Sequence, residues 1–291
     1  MTVSQRFDTL LSAIALTTEQ AQDGITKHSG VRECLNKHYY GVTSGSTNSM
    51  LVGSWGKSTR VRPPRDIDVL FVLPYSIYER YQGKTGNKQS QLLQEVKSVL
   101  FKTYSTTKMR ADGQVVVVPF VSYAVEVVPA FTLQNGQYWI CDTNDGGKYK
   151  VSDPAAEIKA VSDSDAQYKG NTRHLIRMMK KWQEFCSVPL KSFLIELVAI
   201  EFISSWQHHG NTSVYYDWMV RDFLQFLVNK TSSFVLIPGT FEIVWLGSDW
   251  KSKAESAYNR AAKGCQYEAE NKNTDAWWEW HNIFGDDVPL N

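Results

Sequence analysis

The segment covering residues 50–73 constrains the fold of this 291-residue chain more than any other. It starts as an apolar run that ends at Gly53 and Ser54, passes through a short polar stretch, and is interrupted by two prolines. A second apolar run, which predicts a β-strand, then opens with Asp66 and Asp68. Residues two apart on a strand point to the same side, so both carboxylates should face one point.

Two carboxylates this close repel each other unless a cation lies between them. Mg²⁺ is the expected ion, with Mn²⁺ as a substitute, because it prefers oxygen ligands and shares its coordination with substrate phosphates. Gly53 allows the backbone to approach a phosphate, and Ser54 offers a hydroxyl and an amide at a predicted helix start. The segment between the glycine and the acids holds four cations and no anion: Lys57, Arg60, Arg62 and Arg65. The pattern favours a metal-bound nucleoside triphosphate whose phosphates contact Gly53, Ser54, Lys57 and Thr59.

A third acidic residue, Glu126, lies in the apolar run of residues 121–128, which predicts another strand. A carboxylate is costly to bury among β-branched residues unless a cation or a hydrogen-bond donor meets it. If Glu126 points outward, it is an ordinary surface residue, and the residue pattern leaves both interpretations open. Likewise, an Asp-x-Asp pair alone is typical of a solvated strand end.

The combination is more specific than its parts. Gly53-Ser54, a short helix and Asp-x-Asp on the next strand resemble the signature of the polymerase-β-like nucleotidyltransferases. Glu126, followed by two valines, Pro129 and an alanine, resembles the third carboxylate of the bacterial cGAS/DncV-like nucleotidyltransferases. That family makes cyclic oligonucleotide second messengers for anti-phage defence. Many of its members carry Asp at the position of Glu126, so the metal spacing would have to adjust for one extra methylene.

The resemblance implies a two-metal site. Asp66 and Asp68 would hold the ion that grips the triphosphate, and the same pair with Glu126 would hold a second ion. This second ion would activate the attacking ribose hydroxyl, Glu126 could help to accept its proton, and pyrophosphate would leave. All three acids are therefore predicted to be both catalytic and metal-binding.

Two residues in the second half of the chain are matched to phosphate contacts of the family. Lys180, two residues before Trp182, is the predicted match to a lysine on a helix, with Lys181 as the alternate. Ser192 is matched to a serine at the start of the following helix. From the residues alone, a solvated lysine pair and a plain N-cap serine are the simpler interpretations.

The chain is expected to divide near residue 150. Strand patterns largely stop at the turn residues of 143–153, and helical patterns follow. We expect an α+β, bilobal protein. The resemblance implies a polymerase-β-like nucleotidyltransferase lobe with a mixed sheet over residues 1–150, including a long N-terminal helix over residues 5–40 that bridges both lobes. It also implies a helical lobe over residues 151–291, similar to the C-terminal domain of OAS and cGAS.

Composition argues against several other classes. A formal net charge of +1 gives no basic field for coating nucleic acid or for activation by long DNA. The four cysteines are widely separated and lack zinc spacing, so we expect free thiols, no zinc and a reducing cytosol. No apolar run approaches the roughly 20 residues that span a bilayer, and the N-terminus lacks a signal-peptide layout. A cytoplasmic protein without a membrane partner is expected.

The resemblance implies an enzyme that condenses ATP and other nucleoside triphosphates into a cyclic di- or trinucleotide, with regulation by protein partners. Two alternatives stay open. One is a terminal nucleotidyltransferase acting on RNA, protein or a small-molecule acceptor, although the chain lacks an appended basic RNA-binding segment. The other is a catalytically inactive nucleotide-binding or scaffold protein, for which three retained acids have no evident use.

Overall fold

The structure is a computed structural model that describes residues 1–290, apart from the side chain of Asp112. The chain forms two compact units. The first, the sheet unit, comprises Leu16–Ser58 and Pro63–Ile158. The second, the helical unit, comprises Met1–Ala15, Thr59–Arg62 and the chain from Lys159 onward.

The strands of the sheet unit form one mixed sheet. They are β1 (Ser49–Leu51), β2 (Asp66–Val72), β3 (Arg110–Asp112), β4 (Val115–Pro119), β5 (Ala124–Thr132), β6 (Tyr138–Asp142) and β7 (Lys148–Ser152). The sheet runs in the order β1-β2-β5-β4-β3, with β6 pairing with β5 and β7 pairing with β6. Strands β2 and β5 are parallel, and the other pairs among the described residues are antiparallel.

Helices make up most of the remaining chain. They are α1 (Val3–Ala13), α2 (Thr18–Tyr40), α3 (Gly53–Lys57), α4 (Tyr75–Gln82), α5 (Lys88–Phe101), α6 (Pro154–Gln167), α7 (Asn171–Phe185), α8 (Ser192–Ser205), α9 (Tyr216–Asn229), α10 (Lys251–Ala269) and α11 (Asn273–Phe284). The helical unit also contains a hairpin of β8 (Phe234–Leu236) and β9 (Ile243–Trp245). Over residues 1–290, every helix falls short of the length or the apolar character that crossing a membrane requires.

The predicted helix over residues 5–40 is two helices. Helix α1 ends at its C-cap Ile14, and α2 begins after the N-cap Thr17. The Thr17 hydroxyl accepts from the Gln20 amide at 3.2 Å, while the Gln20 side chain accepts from the Thr17 amide at 3.0 Å. This capping box starts a new helix because it satisfies backbone donors that lack an intrahelical partner.

The observed units also differ from the predicted division at residue 150. The change of unit falls between Ile158 and Lys159, inside α6, and α1 belongs to the helical unit. The reason for the second difference is packing. Phe7 of α1 is 1 % exposed, and its ring lies 5.1 Å from that of Trp280 in an edge-to-face contact. The first helix is therefore part of the helical core.

Candidate functional site

Three acidic side chains share one face of the sheet. Strand β2 pairs in parallel with β5, and the register places Asp68 opposite Glu126 and Asp66 opposite Ala124. The intervening Ile67 is fully buried on the other face, as period-2 alternation requires. Asp66, Asp68 and Glu126 therefore project from the same side of two neighbouring strands.

The charges at this face act on one another. Burial of Glu126 raises the pKa of its carboxyl to about 7, and the negative charges of Asp66 and Asp68 add to that rise. Arg110 opposes the shift. It lies in the same cross-strand row, because Arg110 is opposite Val117 and Val117 is opposite Glu126. An additional positive charge at this face would favour the ionised form of Glu126.

Gly53 lies against one of these acids. A Cβ at this position would be 1.9 Å from Oδ2 of Asp68, and the residue has φ of +54°. Both the close approach and the left-handed backbone require glycine. The Val52 amide donates to the Asp68 carbonyl at 3.0 Å, which fixes this segment along β2. The half-buried Ser54 follows directly, so the predicted Gly53-Ser54 pair does lie beside Asp68.

The donor set fits a hard divalent cation. Three carboxylates from two strands offer the oxygen ligands that Mg²⁺ and Mn²⁺ prefer. Within residues 1–290, however, no three acidic, histidine or cysteine side chains are already arranged around a common cation position.

Lys57, a predicted phosphate contact, is buried beside an acidic side chain. Lys57 is 3 % exposed, and its Nζ lies 3.0 Å from Oε2 of Glu157 at the start of α6. A buried ammonium that already has a carboxylate beside it is held in place by the cost of separating the two charges. A phosphate contact by Lys57 stays a prediction that requires this ion pair to be exchanged, and Glu157 is a partner that the sequence did not reveal.

Thr59 and Lys180 belong to a buried polar cluster in the helical unit. Thr59 Oγ1 donates to Glu196 Oε1 at 2.7 Å and accepts from Lys180 Nζ at 2.9 Å. Lys180 Nζ also donates to Glu196 Oε1 at 2.5 Å. All three side chains are buried. The nucleotide contact of Thr59 stays a prediction, and it requires these buried bonds to be exchanged. The role of Glu196 in this cluster was not predicted. A single acid inside the apolar run of residues 194–198 does indicate a carboxylate that is buried and paired with a cation or a hydrogen-bond donor.

The remaining predicted contacts also have protein partners. Lys181 Nζ lies 2.5 Å from Oδ2 of Asp287. Ser192 is the first residue of α8, whose N-cap is Lys191, and its hydroxyl donates to Gln183 Oε1 at 2.6 Å. A triphosphate contact by Lys180, Lys181 or Ser192 stays a prediction, and it requires these bonds to be exchanged.

The sheet unit thus brings together five of the predicted residues: Gly53, Ser54, Asp66, Asp68 and Glu126. The helical unit holds Thr59, Lys180 and Ser192. The sheet face thus offers three acidic side chains as candidate cation ligands, beside a backbone segment that only glycine permits.

Comparison with known proteins supports this description. Residues 1–165 match the family model described as the Second Messenger Oligonucleotide or Dinucleotide Synthetase domain. A probable cyclic nucleotide synthase from Bacillus cereus is 22 % identical over 276 residues, which cover 81 % of each chain.

Solved structures share the fold at lower identity. CdnC of Escherichia coli MS115-1 superposes with a TM-score of 0.69 in its structure with ATP and 0.67 in its complex with HORMA-deltaN. Both have 15 % identity over 98 % of this chain and 99 % of their own. Vibrio cholerae DncV, solved with the linear intermediate 5′ pppA(3′,5′)pG, gives 0.68 at 14 % identity over 99 % of this chain and 87 % of its own. The predicted α+β, polymerase-β-like fold is confirmed.

Proposed function

Because the chain belongs to the Second Messenger Oligonucleotide or Dinucleotide Synthetase family, we propose that it condenses nucleoside triphosphates into a cyclic di- or trinucleotide with release of pyrophosphate. The observation that carries the proposal is the register that sets Asp68 opposite Glu126, with Asp66 on the same face. Its relatives are described as enzymes of the same class. The Bacillus cereus relative is a probable cyclic nucleotide synthase, and DncV was solved with a linear dinucleotide intermediate.

In this proposal the reaction depends on Mg²⁺ or Mn²⁺ held by Asp66, Asp68 and Glu126. When bound, the ions supply charge neutralisation for the transferring phosphoryl group and a lower pKa for the attacking ribose hydroxyl. Asp66 and Asp68 orient the triphosphate through the shared ion. Glu126 lies beside Asp68, and in the ionised form that a nearby cation favours it can take the hydroxyl proton.

Gly53 and Ser54 position the phosphates. The chain passes within contact distance of Asp68 only because Gly53 has no side chain. The Ser54 hydroxyl and the backbone amides that follow can therefore donate to phosphate oxygens close to the acids. Lys180 and Ser192 stay in the proposal as triphosphate contacts on the family resemblance alone.

We also propose a role in bacterial anti-phage signalling, in the cytoplasm and under control of a protein partner. The support is that E. coli CdnC, which shares the fold, forms a complex with HORMA-deltaN. A second CdnC relative is described as a CBASS oligonucleotide cyclase and is 26 % identical over 186 residues, 56 % of its own length.

The experiment is turnover with defined substrates. Purified protein is incubated with all four radiolabelled ribonucleoside triphosphates and either Mg²⁺ or Mn²⁺, and products are treated with phosphatase before chromatography and mass spectrometry. A phosphatase-resistant product without free ends is expected, and its mass gives the bases and the ring size. The same reaction with added RNA tests the terminal-transferase alternative, which predicts growth of the RNA and no cyclic product.

A double variant and a single variant, each changing acid to amide, test the assignment of the acids. The Asp66→Asn/Asp68→Asn variant should make no product, whereas Asp145→Asn, which changes a highly exposed acid of the sheet unit, should retain full turnover. Product from the double variant at the wild-type rate would overturn the assignment of the acids.

A further inference from the structure

The hairpin of the helical unit exposes an unusual apolar face. Its register pairs Phe234 with Trp245 and Leu236 with Ile243. These four side chains are between 44 % and 66 % exposed, whereas the alternate residue Val235 is 6 % exposed and packs into the core. The turn adds a further exposed aromatic residue, Phe241. Apolar patches of this kind, outside a catalytic face, mark contacts with other molecules.

The outer edge of β8 has open backbone groups. Two backbone hydrogen bonds join the ends of the hairpin strands. The Ile237 amide donates to the Glu242 carbonyl, and the Leu246 amide donates to the Ser233 carbonyl. In an antiparallel pair such bonds recur at every second residue, so Phe234 and Leu236 direct their amides and carbonyls away from β9. Across the part of the chain that the structure describes, the sheet ends at this edge.

A groove runs along that same edge. Its volume is about 470 Å³. One wall is the chain from Ser233 to Pro238, and the other comprises Leu197 and Ile200 of α8 with Ala160 of α6; no residue of β9 contributes. The groove therefore lies on the open side of β8. Most of its lining is apolar, which suits side chains that alternate along an added strand.

Charge at the groove is balanced. The two ionisable residues that line it, Lys230 and Glu201, form an ion pair with each other. A charged ligand would gain little from this pair and would lose hydration against the apolar walls. Edge strands in other proteins are commonly protected by lysine, proline or a covering element. Here Pro238 follows the strand, but Phe234–Leu236 themselves carry no such protection.

We propose that the open edge of β8 binds an extended, uncharged apolar segment of a partner protein, which adds to the hairpin as a third strand. Hydrogen bonds to the backbone of Phe234 and Leu236 would fix the register of the added strand. The side chains of that strand that enter the groove would determine which sequences bind. A second copy of this chain fits less well. Its own β8 carries an α8 wall on the open side, which would have to occupy the same narrow groove.

The test uses labelled heptapeptides with the pattern Lys-Thr-X-X-X-Thr-Lys, where X is Val, Ile, Leu or Phe. Binding to the full chain is followed by fluorescence anisotropy. We expect saturable binding by part of the panel. Methylation of backbone nitrogens at alternate positions should weaken binding at least tenfold in one register and leave it unchanged in the other, because a strand presents only every second amide to its neighbour.

A matched pair of proline variants locates the edge. Leu236→Pro removes an outward amide of β8 without touching the ladder to β9, and Ile243→Pro removes an outward amide of β9 in the same way. We expect Leu236→Pro to weaken peptide binding at least tenfold and Ile243→Pro to have no effect. Equal binding by both variants, or no saturable binding across the panel, would refute the proposal.

Amide hydrogen exchange on the unmodified protein gives an independent readout if either proline variant unfolds. Peptide should slow exchange at Phe234 and Leu236 and leave Val235, whose amide faces β9, unchanged. Analytical ultracentrifugation without peptide tests the second-copy alternative. If the protein self-associates and Leu236→Pro abolishes this self-association, then the edge of β8 binds a second copy of the chain and not a segment of another protein.

Discussion

Asp68 of β2 lies directly opposite Glu126 of the parallel strand β5. The two carboxylates come from distant parts of the chain, and only the alignment of these strands brings them together. A slip of one residue would turn Glu126 toward the core face, where Val125 and Val127 now lie fully buried. The hydrophobic side of β5 therefore helps to hold the third acid at the site.

This neighbourhood makes the stability of the metal-free protein depend on pH. The pKa of Glu126 is raised from 4.5 to about 7, first by burial and then by the two aspartates. Between these values the native state holds a proton that the unfolded state has released, so the free energy of unfolding falls as pH rises through this range and levels off above about 7. In urea titrations with EDTA from pH 5 to pH 8, we expect Glu126→Gln to remove this part of the decline.

The same variant should match wild type near pH 5 and exceed it in stability at pH 8. An exposed glutamate of α4 provides the control, since Glu79→Gln should leave the pH dependence as it is. A constant difference between wild type and Glu126→Gln across the pH range would contradict the assigned environment of this carboxyl.

Divalent cations should reverse the effect of repulsion among the acids. A ligand that binds only the native state raises stability in proportion to the logarithm of its concentration above Kd. We expect millimolar Mg²⁺ or Mn²⁺ to raise the Tm of the wild type and to leave that of Asp66→Asn/Asp68→Asn unchanged. Without the metal the double variant should melt higher than wild type, because the like charges are gone. Calorimetric scans with and without EDTA decide this, and an equal metal-induced rise in both proteins would exclude these acids as ligands.

Replacement of Gly53 by alanine should damage activity more than stability. A left-handed conformation costs a non-glycine residue about 1–2 kcal/mol. The added Cβ would also be 1.9 Å from the Asp68 carboxylate, which must move. Displacement of a catalytic group by about 1 Å can lower the rate by about 100-fold. We expect a loss of that order in kcat.

The control for this substitution separates backbone strain from the collision. Gly41 caps α2 with φ of +68° and has nothing within 4 Å of an added Cβ. Gly41→Ala should therefore lose about 1–2 kcal/mol of stability, as expected for the backbone strain in Gly53→Ala, and keep its activity. If the two variants show the same kcat, the close approach of Gly53 to Asp68 has no catalytic role.

Parts of the site could be read from sequence because they depend on short-range rules. The period of a strand places Asp66 and Asp68 on one side, and the family resemblance singles out Glu126. The break between the first two helices was also encoded, since Thr17 and Gln20 have capping-box spacing.

Burial of the predicted cations could not be read in this way. Nothing local distinguishes Lys57 or Lys180 from a solvated lysine, because their partners Glu157 and Glu196 come from other elements that tertiary packing brings alongside. Periodicity reports which face of an element is apolar, and it does not report which charge pairs with which. The register of β2 against β5 is likewise a long-range property.

The buried pair of Lys180 and Glu196 gives the last prediction. Their side chains are 8 % and 4 % exposed, and Thr59 bonds to both. Removing one member of such a pair leaves a buried charge without compensation and costs about 3–5 kcal/mol. We expect Lys180→Met to lower the free energy of unfolding by this amount, whatever its effect on the KM for ATP.

Lys181→Met is the matched control, because the partner of Lys181 is the partly exposed Asp287 and such pairs contribute about 1 kcal/mol or less. Adding Glu196→Leu to Lys180→Met should recover much of the lost stability, since the orphaned carboxylate is removed. Urea unfolding and initial rates against ATP concentration separate the two roles. A Lys180→Met protein with wild-type stability and a raised KM would show that this lysine serves the nucleotide and not the core.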